Sequence, residues 1–393
     1  MKLKISLTLL AILFLPLSGG ARGGLLPKPS DILRVMHLTN DYFLLKHPDP
    51  AAPTFVKKER PSNLWTRGVY FEGLCALNAI DPQPRNISYV VRWAQAHRFT
   101  PRNGVQTRDA DDYCCCQTYL QLYLDSLDHA EPPLFNLHML LPTMQCMNNL
   151  LSTTSEADWT WIDAIQMGLP VLTRLTLIRH LNGDDDASRY AEHGFQMYNW
   201  TRNTLVGGLF NQTEGLWWRD KDFVPPYHEP NGRNCYWSRG NGWVYAALVR
   251  AMSDAMECPA VGHLETYKAD FLLMTDALVK CQRKDGFWNV SLHDESHFGG
   301  PELTGTALFI YGMAWGVRHG ILPEKPYLKL IAKTWKAMVK KCVDKDGRLG
   351  FIQGTGKEPK DAQPVTFTTE PDFDDFGLGC FLLAASEVYL LSK

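Results

Sequence analysis

Apolar residues recur at three- and four-residue spacing along nearly the whole chain of 393 residues, and clusters of Gly and Pro interrupt them. That period predicts about twelve helices, near 30–46, 62–78, 86–98, 112–126, 136–149, 158–179, 186–203, 241–256, 263–282, 302–319, 325–342 and 376–391. Two boundary signals accompany it. Ser155-Glu-Ala-Asp158 has capping-box spacing ahead of Trp159-Thr-Trp161-Ile162, and Asn241 stands where it could cap the run Gly242 to Val249. Strand character is confined to Gly215-Leu-Trp-Trp-Arg219, Gly286-Phe-Trp-Asn-Val290 and Gly347-Arg-Leu-Gly-Phe-Ile352, short segments after turns that suit small hairpins between helices. The repeated order of helix, Gly-rich aromatic loop and helix, without a Pro/Ser-rich linker, predicts an all-α chain whose six helical hairpins close into a ring. A superhelical repeat array is the competing arrangement, and no period of roughly 30–50 residues supports it. A closed ring gathers the loops from one end of every hairpin around one cavity.

The first residues follow another pattern. Lys2 and Lys4, the apolar run Ile5 to Leu17 and the small-residue stretch Ser18-Gly-Gly-Ala-Arg22 have the order of an export signal. The run of about 13 residues falls short of the ~20 that span hydrocarbon, so no membrane insertion is expected. Residues 1–24 are therefore expected to be cleaved and 25–393 to form one catalytic domain in a periplasmic or secreted protein. With 40 Lys+Arg against 42 Asp+Glu, the net charge of −2 offers no field for nucleic acid. Twelve Trp, 15 Tyr and 18 Phe suit the gripping of sugar rings, and equally a well-filled core.

Ten Cys show no C-x-x-C spacing, and the consecutive Cys114, Cys115 and Cys116 diverge by roughly 100° each on a helix, so they read as small core residues. Twelve His show no H-E-x-x-H spacing, and no Gly-rich phosphate loop is present. No metal or cofactor is expected, which leaves acid–base chemistry by carboxylates. Asn86, Asn199, Asn211 and Asn289 begin glycosylation sequons, meaningful in a eukaryotic source.

Three segments carry candidate chemistry. In Trp159-Thr-Trp161-Ile162-Asp163, a carboxylate inside an apolar helical stretch is poorly placed for solvation, and burial makes such a group a proton donor near neutral pH. A first-turn Asp that stabilises the helix dipole is the plain alternative. Asp111 and Asp112 stand before another apolar helix; either could be the partner carboxylate of a hydrolytic site, or the two are a cap and a first-turn charge. In Trp237-Ser-Arg239-Gly-Asn-Gly-Trp243, glycines bracket a helix start beside an Arg and two indoles, which reads as a site for a charged sugar. The aromatic loop containing Trp217, Trp218 and Arg219, the Asp285-Gly-Phe-Trp288 loop and the helix start at Glu302 are possible cavity walls.

Together these residues resemble the unsaturated glucuronyl and rhamnogalacturonyl hydrolases of glycoside hydrolase family 105 and the related family 88. The matching motifs are Trp161-Ile-Asp163 with its Met-Gly-x-Pro170 continuation, Asp111-Asp112 before Gln117-Thr-Tyr-Leu-x-Leu-Tyr123, and Trp237-x-Arg239-Gly-Asn-Gly-Trp243. Asp285-Gly-Phe-Trp, Glu302-x-Thr-Gly-Thr-Ala-Leu-Phe and Asp375-Phe-Gly-x-Gly follow in order, so the likeness spans most of the chain. The resemblance implies an (α/α)6 barrel that removes a terminal 4,5-unsaturated uronic acid from lyase-generated acidic oligosaccharides by hydrating its C4=C5 bond, without a cofactor. It implies Asp163 as proton donor, Asp112 or Asp111 as second carboxylate, and Trp161, Trp237, Arg239 and Trp243 as substrate-holding positions. One departure stands out: many members carry His where Arg219 follows the Gly-Leu-aromatic loop. Arg219, with Trp218 beside it, is thereby expected at the uronate carboxylate. Two other readings compete: a non-catalytic binder of acidic oligosaccharides, and a helical-barrel enzyme performing two-carboxylate hydrolysis or β-elimination.

Overall fold

The computed structural model describes residues 24–127, 137–152 and 158–393. The export signal and the Ser155 end of the expected capping box lie outside those residues. Twelve helices of two turns or more are present among the described residues: α1 (Pro29–Lys46), α2 (Trp65–Ile80), α3 (Pro84–Ala96), α4 (Cys116–Leu127), α5 (Leu137–Ser152), α6 (Asp163–Leu181), α7 (Ser188–Asn203), α8 (Ser238–Glu257), α9 (Leu264–Cys281), α10 (Leu303–Arg318), α11 (Glu324–Cys342) and α12 (Asp375–Ser392). The even-numbered helices touch in turn from α2 to α12, and α12 closes on α2. Each odd-numbered helix packs outside, α1 against α12 and α3, α5, α7, α9 and α11 against the inner helix that precedes each in the chain. This is the expected (α/α)6 barrel.

Burial explains which helices line the ring. Every residue of α10 from Leu303 to Val317 is buried, so its side chains meet protein all round. The helix α12 is long and apolar enough to cross a membrane, but 89% of it is buried inside the fold, which makes it a core helix. Outer helices are one-sided: α11 buries Leu328, Ile331, Trp335, Met338 and Cys342, a single stripe at helical spacing. Where α2 crosses α12 the backbones meet directly, and a Cβ on Gly73 would stand 2.6 Å from the carbonyl oxygen of Gly379.

Because an outer helix returns the chain after each inner one, all six inner helices start at the same end of the ring. Their N-terminal residues, with the short helical turn Ala110–Tyr113 ahead of α4, form one mouth. Six partial positive charges converge there.

The expected loop strands are only partly present. Leu216–Trp217 pairs antiparallel with Phe210–Asn211, and a second hairpin, Thr54–Phe55 with Glu59–Arg60, has no alternating pattern that could have announced it. The segments after Gly286 and Gly347 form single bridges, Trp237 to Ser291 and Val343 to Leu349. Their aromatic residues signal core packing: Trp288 is fully buried, with its indole N–H donated to the Leu278 carbonyl at 2.7 Å. All ten Cys are free thiols, and Cys114, Cys115 and Cys116 are buried core residues. Asn86 and Asn289 are also buried, which closes two of the four sequons to glycan attachment in the folded chain.

Candidate active site

Two carboxylates and one guanidinium meet at the ring mouth. Asp163 is the first residue of α6 rather than one turn inside it. Just before it, the Ile162 amide donates to the Arg219 carbonyl at 2.9 Å, and Trp161 bridges Asp220 antiparallel. This pairing carries the Arg219 side chain onto Asp163. Its Nε donates to Asp163 Oδ2 at 3.0 Å, and its Nη1 donates to Asp220 Oδ2 at 2.7 Å. Asp220 is itself buried and fixed, its Oδ1 accepting from the Asp222 amide at 2.8 Å.

The second carboxylate belongs to Asp111. Asp109 caps the turn Ala110–Tyr113 by accepting from the Asp111 amide, which leaves the Asp111 side chain half-buried and within electrostatic reach of Asp163 and Arg219. Burial, then the charges of Asp109 and Asp163, push the Asp111 carboxyl up to about 7, against the opposing pull of Arg219. A carboxyl suited to carrying a proton near neutral pH is therefore present on this turn. The turn is tied to the start of α6 by Arg108, whose Nε donates to Asp158 at 2.9 Å, and by the Trp159 indole, which donates to the Tyr113 hydroxyl at 2.8 Å.

Asp112 has a different environment. It is buried, and its oxygens accept from Arg102 Nη1 at 2.9 Å, Asn103 Nδ2 at 2.9 Å and Thr107 Oγ1 at 2.7 Å. Its lone pairs are committed to the 102–107 loop. Of the two neighbouring acids, the one brought to Asp163 and Arg219 is Asp111.

The Trp237–Trp243 run is also internal. Arg239 is 1% exposed, and Trp237 and Trp243 are likewise buried. The Arg239 guanidinium lies between the Trp237 and Phe376 rings, at 4.5 and 5.0 Å, and donates to the carbonyls of Gln353 and Gly354 at 2.7 Å each. Trp237 donates to Gln353 Oε1 at 2.9 Å, and the Gln353 amide donates to Glu302, which caps α10. At this helix start the guanidinium is held by rings and carbonyls, and its Nε is buried without a hydrogen-bond partner among the described residues. Ser238 opens α8, and Asn241 lies inside its first turn, exchanging hydrogen bonds with both backbone groups of Trp217 at 2.9 and 3.0 Å. The glycines admit neighbours: a Cβ at Gly240 would stand 3.0 Å from the Trp237 ring and one at Gly242 2.9 Å from Leu308. These residues support the floor of the site, and Asp163 is close enough for its charge to act on Arg239.

The open wall is aromatic and mixed in charge, with Asp222 paired to Lys357 at 3.4 Å. Trp161 is half-buried and, with Arg219, Asp220, Lys221 and Lys357, lines a cavity of about 340 Å³, the size of a small-ligand site. Trp218 is half-buried with its ring 5.7 Å from that of Tyr236. Two residues escape a sequence reading. Trp65, at the start of α2, is a half-buried aromatic set against Phe376 and Trp243, and reads as an ordinary core residue in one dimension. Asp220 looks like loop polarity until its contact with Arg219 is seen. Among the described residues, no group of three or more His, Cys, Asp or Glu is placed to hold a metal ion.

The family model for glycosyl hydrolase family 88 matches residues 35–392. The chain belongs to that family. This family 88 glycoside hydrolase is 28% identical over 353 residues to an unsaturated 3S-rhamnoglycuronyl hydrolase of Formosa agariphila, covering 84% of this chain and 85% of the relative. Among solved structures it is similar to a family 88 glycosyl hydrolase of Bacteroides vulgatus, with 27% identity and a TM-score of 0.78, covering 93% of this chain and all of that one. It is equally similar in fold to a protein described as a polysaccharide lyase, with 25% identity, a TM-score of 0.78, and coverage of 92% and 97%.

Proposed function

We propose that this family 88 hydrolase removes the terminal 4,5-unsaturated uronic acid from acidic oligosaccharides by hydrating the C4=C5 double bond, with Asp163 and Asp111 handling the proton and Arg219 receiving the uronate carboxylate. The observation that carries the reading is the meeting of two carboxylates and one guanidinium at the mouth of the ring, beside a Trp161-lined cavity. The name of the Formosa relative points to an unsaturated 3S-rhamnoglycuronyl oligosaccharide as the first substrate to try.

The double bond is a vinyl ether. A proton delivered to C4 leaves positive charge at C5, which the ring oxygen shares. Water adds at C5 and gives up a proton to the carboxylate that donated the first one, so the acid is restored. The resulting hemiketal opens to a ketone and leaves a hemiacetal at C1, which collapses to an aldehyde and releases the next sugar with the hemiacetal proton on its oxygen; one water is consumed and no side chain protonates the glycosidic oxygen directly. Asp163 is the group for both proton steps. Asp111, whose raised carboxyl keeps a proton near neutral pH, is the reservoir beside it. Trp161 offers a face for the sugar ring.

Asp220 and the 160–162 segment hold the reacting groups in place through the backbone pairing described above. The test is the ultraviolet absorbance of the conjugated uronate: turnover erases it. A second reading, β-elimination, is favoured by the likeness to the polysaccharide lyase, and would create that absorbance from intact polymer. Ordinary two-carboxylate hydrolysis, or binding alone, leaves the absorbance of an unsaturated disaccharide unchanged.

A further inference from the structure

Arg219 is divided between two carboxylates whose surroundings differ. Its Nη1 rests on Asp220, which is 7% exposed and anchored by the Asp222 amide. Its Nε rests on Asp163, and its Nη2 has no hydrogen-bond partner among the described residues. Nε and Nη2 lie on one edge of a planar guanidinium, the edge that a carboxylate grips with both oxygens. Asp163 uses only half of it. Arg219 and Trp161 line one cavity, so a uronate carboxylate bound there is placed to compete with Asp163 for this edge, while Asp220 keeps the far nitrogen in place.

We propose that Arg219 is an exchange point, at which the substrate's uronate takes the Nε/Nη2 edge from Asp163 and leaves Asp163 beside other carboxylates, where it holds a proton. This inference rests on the hydrolase reading for its ligand. The charged groups within reach of Asp163 are Arg219, which also holds Asp220, from the hairpin loop, Asp111 from the turn before α4, and Arg239 from α8, and Asp111 in turn is flanked by Asp109 and Asp112. When Nε turns to the uronate, Asp163 faces a neighbouring carboxylate and an incoming one without its own cation, and carboxylates sharing one site retain a proton. The donor is therefore armed by the acidic group of the sugar it attacks, and a neutral sugar does not arm it.

The experiment uses the full chain with saturated glucuronate, which has no double bond to hydrate, and with glucose as the neutral probe. Calorimetric titration in two buffers of different ionisation enthalpy counts the protons taken up. Glucuronate binding is expected to take up close to none at about pH 5.5, where the pair already holds one, and toward one at about pH 8.5, so that Kd rises about tenfold per pH unit above neutrality. Glucose binding is expected to show no such dependence, and Arg219→Gln to weaken glucuronate binding by at least about tenfold. A crystal structure of the glucuronate complex is expected to show Nε on the ligand and off Asp163. Failure of glucuronate to bind, binding without proton uptake at the higher pH, or Nε still on Asp163 in the complex overturns the exchange. The two claims fail separately: turnover of an unsaturated disaccharide without proton-linked glucuronate binding removes the exchange alone, and proton-linked binding without turnover removes the hydrolase reading alone.

Discussion

Replacing Asp111 with Asn separates a functional carboxyl from a structural one. Burial and the neighbouring acids push this group from an ordinary value of 3.8 to about 7. Below about pH 4 it is protonated in both the folded and the unfolded chain and contributes nothing. As pH rises toward 7, the unfolded chain ionises first and the folded chain keeps its proton, so stability falls through this window and the full cost is present above it. Three units correspond to about 4 kcal/mol at most, and water screening of a half-buried group reduces this to roughly 1–3 kcal/mol. Asn has the same shape and no charge to desolvate. Asp111→Asn is therefore expected to melt at higher temperature than the parent at pH 8, to match it at pH 4, and to lose activity at both. Thermal melts at the two pH values, paired with the absorbance assay, check this. A variant less stable than the parent at pH 8 would refute the reasoning, because that is the behaviour of a first-turn Asp that merely stabilises its helix.

Asp112→Ala is expected to lower stability by about 2–3 kcal/mol, since it strips the partners of Arg102, Asn103 and Thr107 around a buried carboxylate; a large fall in kcat at unchanged Tm would instead place Asp112 in the chemistry. Arg239→Met leaves the Gln353 and Gly354 carbonyls without their donors and is expected to cost about 3 kcal/mol in urea unfolding; near-parental stability with weakened substrate binding would return Arg239 to the ligand. Arg219→Ala is expected to raise KM for an unsaturated disaccharide by about tenfold or more, and an unchanged KM would remove Arg219 from the binding site.

The helical ring was legible because each outer helix carries a one-sided stripe and each inner helix is apolar nearly all round, patterns that survive in one dimension. Asp163, Trp161 and Arg219 stand out in the sequence, as an acid within an apolar run and an Arg after an aromatic pair, and the fold brings them together at the ring mouth. The choice between Asp111 and Asp112 was not legible. Adjacent residues on a helical turn point about 100° apart, and what decides their roles is the 102–107 loop wrapping one of them. The packing of the Trp237–Trp243 run was not legible for a related reason. Its glycines and Arg have the composition of a ligand cradle, but the groups that fill it, the Gln353 and Gly354 carbonyls, lie 114 and 115 residues further along the chain.

The most direct measurement follows ultraviolet absorbance and release of the second sugar together, on an unsaturated rhamnoglycuronyl disaccharide, for the parent enzyme and Asp163→Asn. The account predicts that the parent loses absorbance in step with sugar release, one double bond per sugar, and that the folded variant does neither. Sugar released with the absorbance intact, or a variant that turns over at the parental rate, would contradict it.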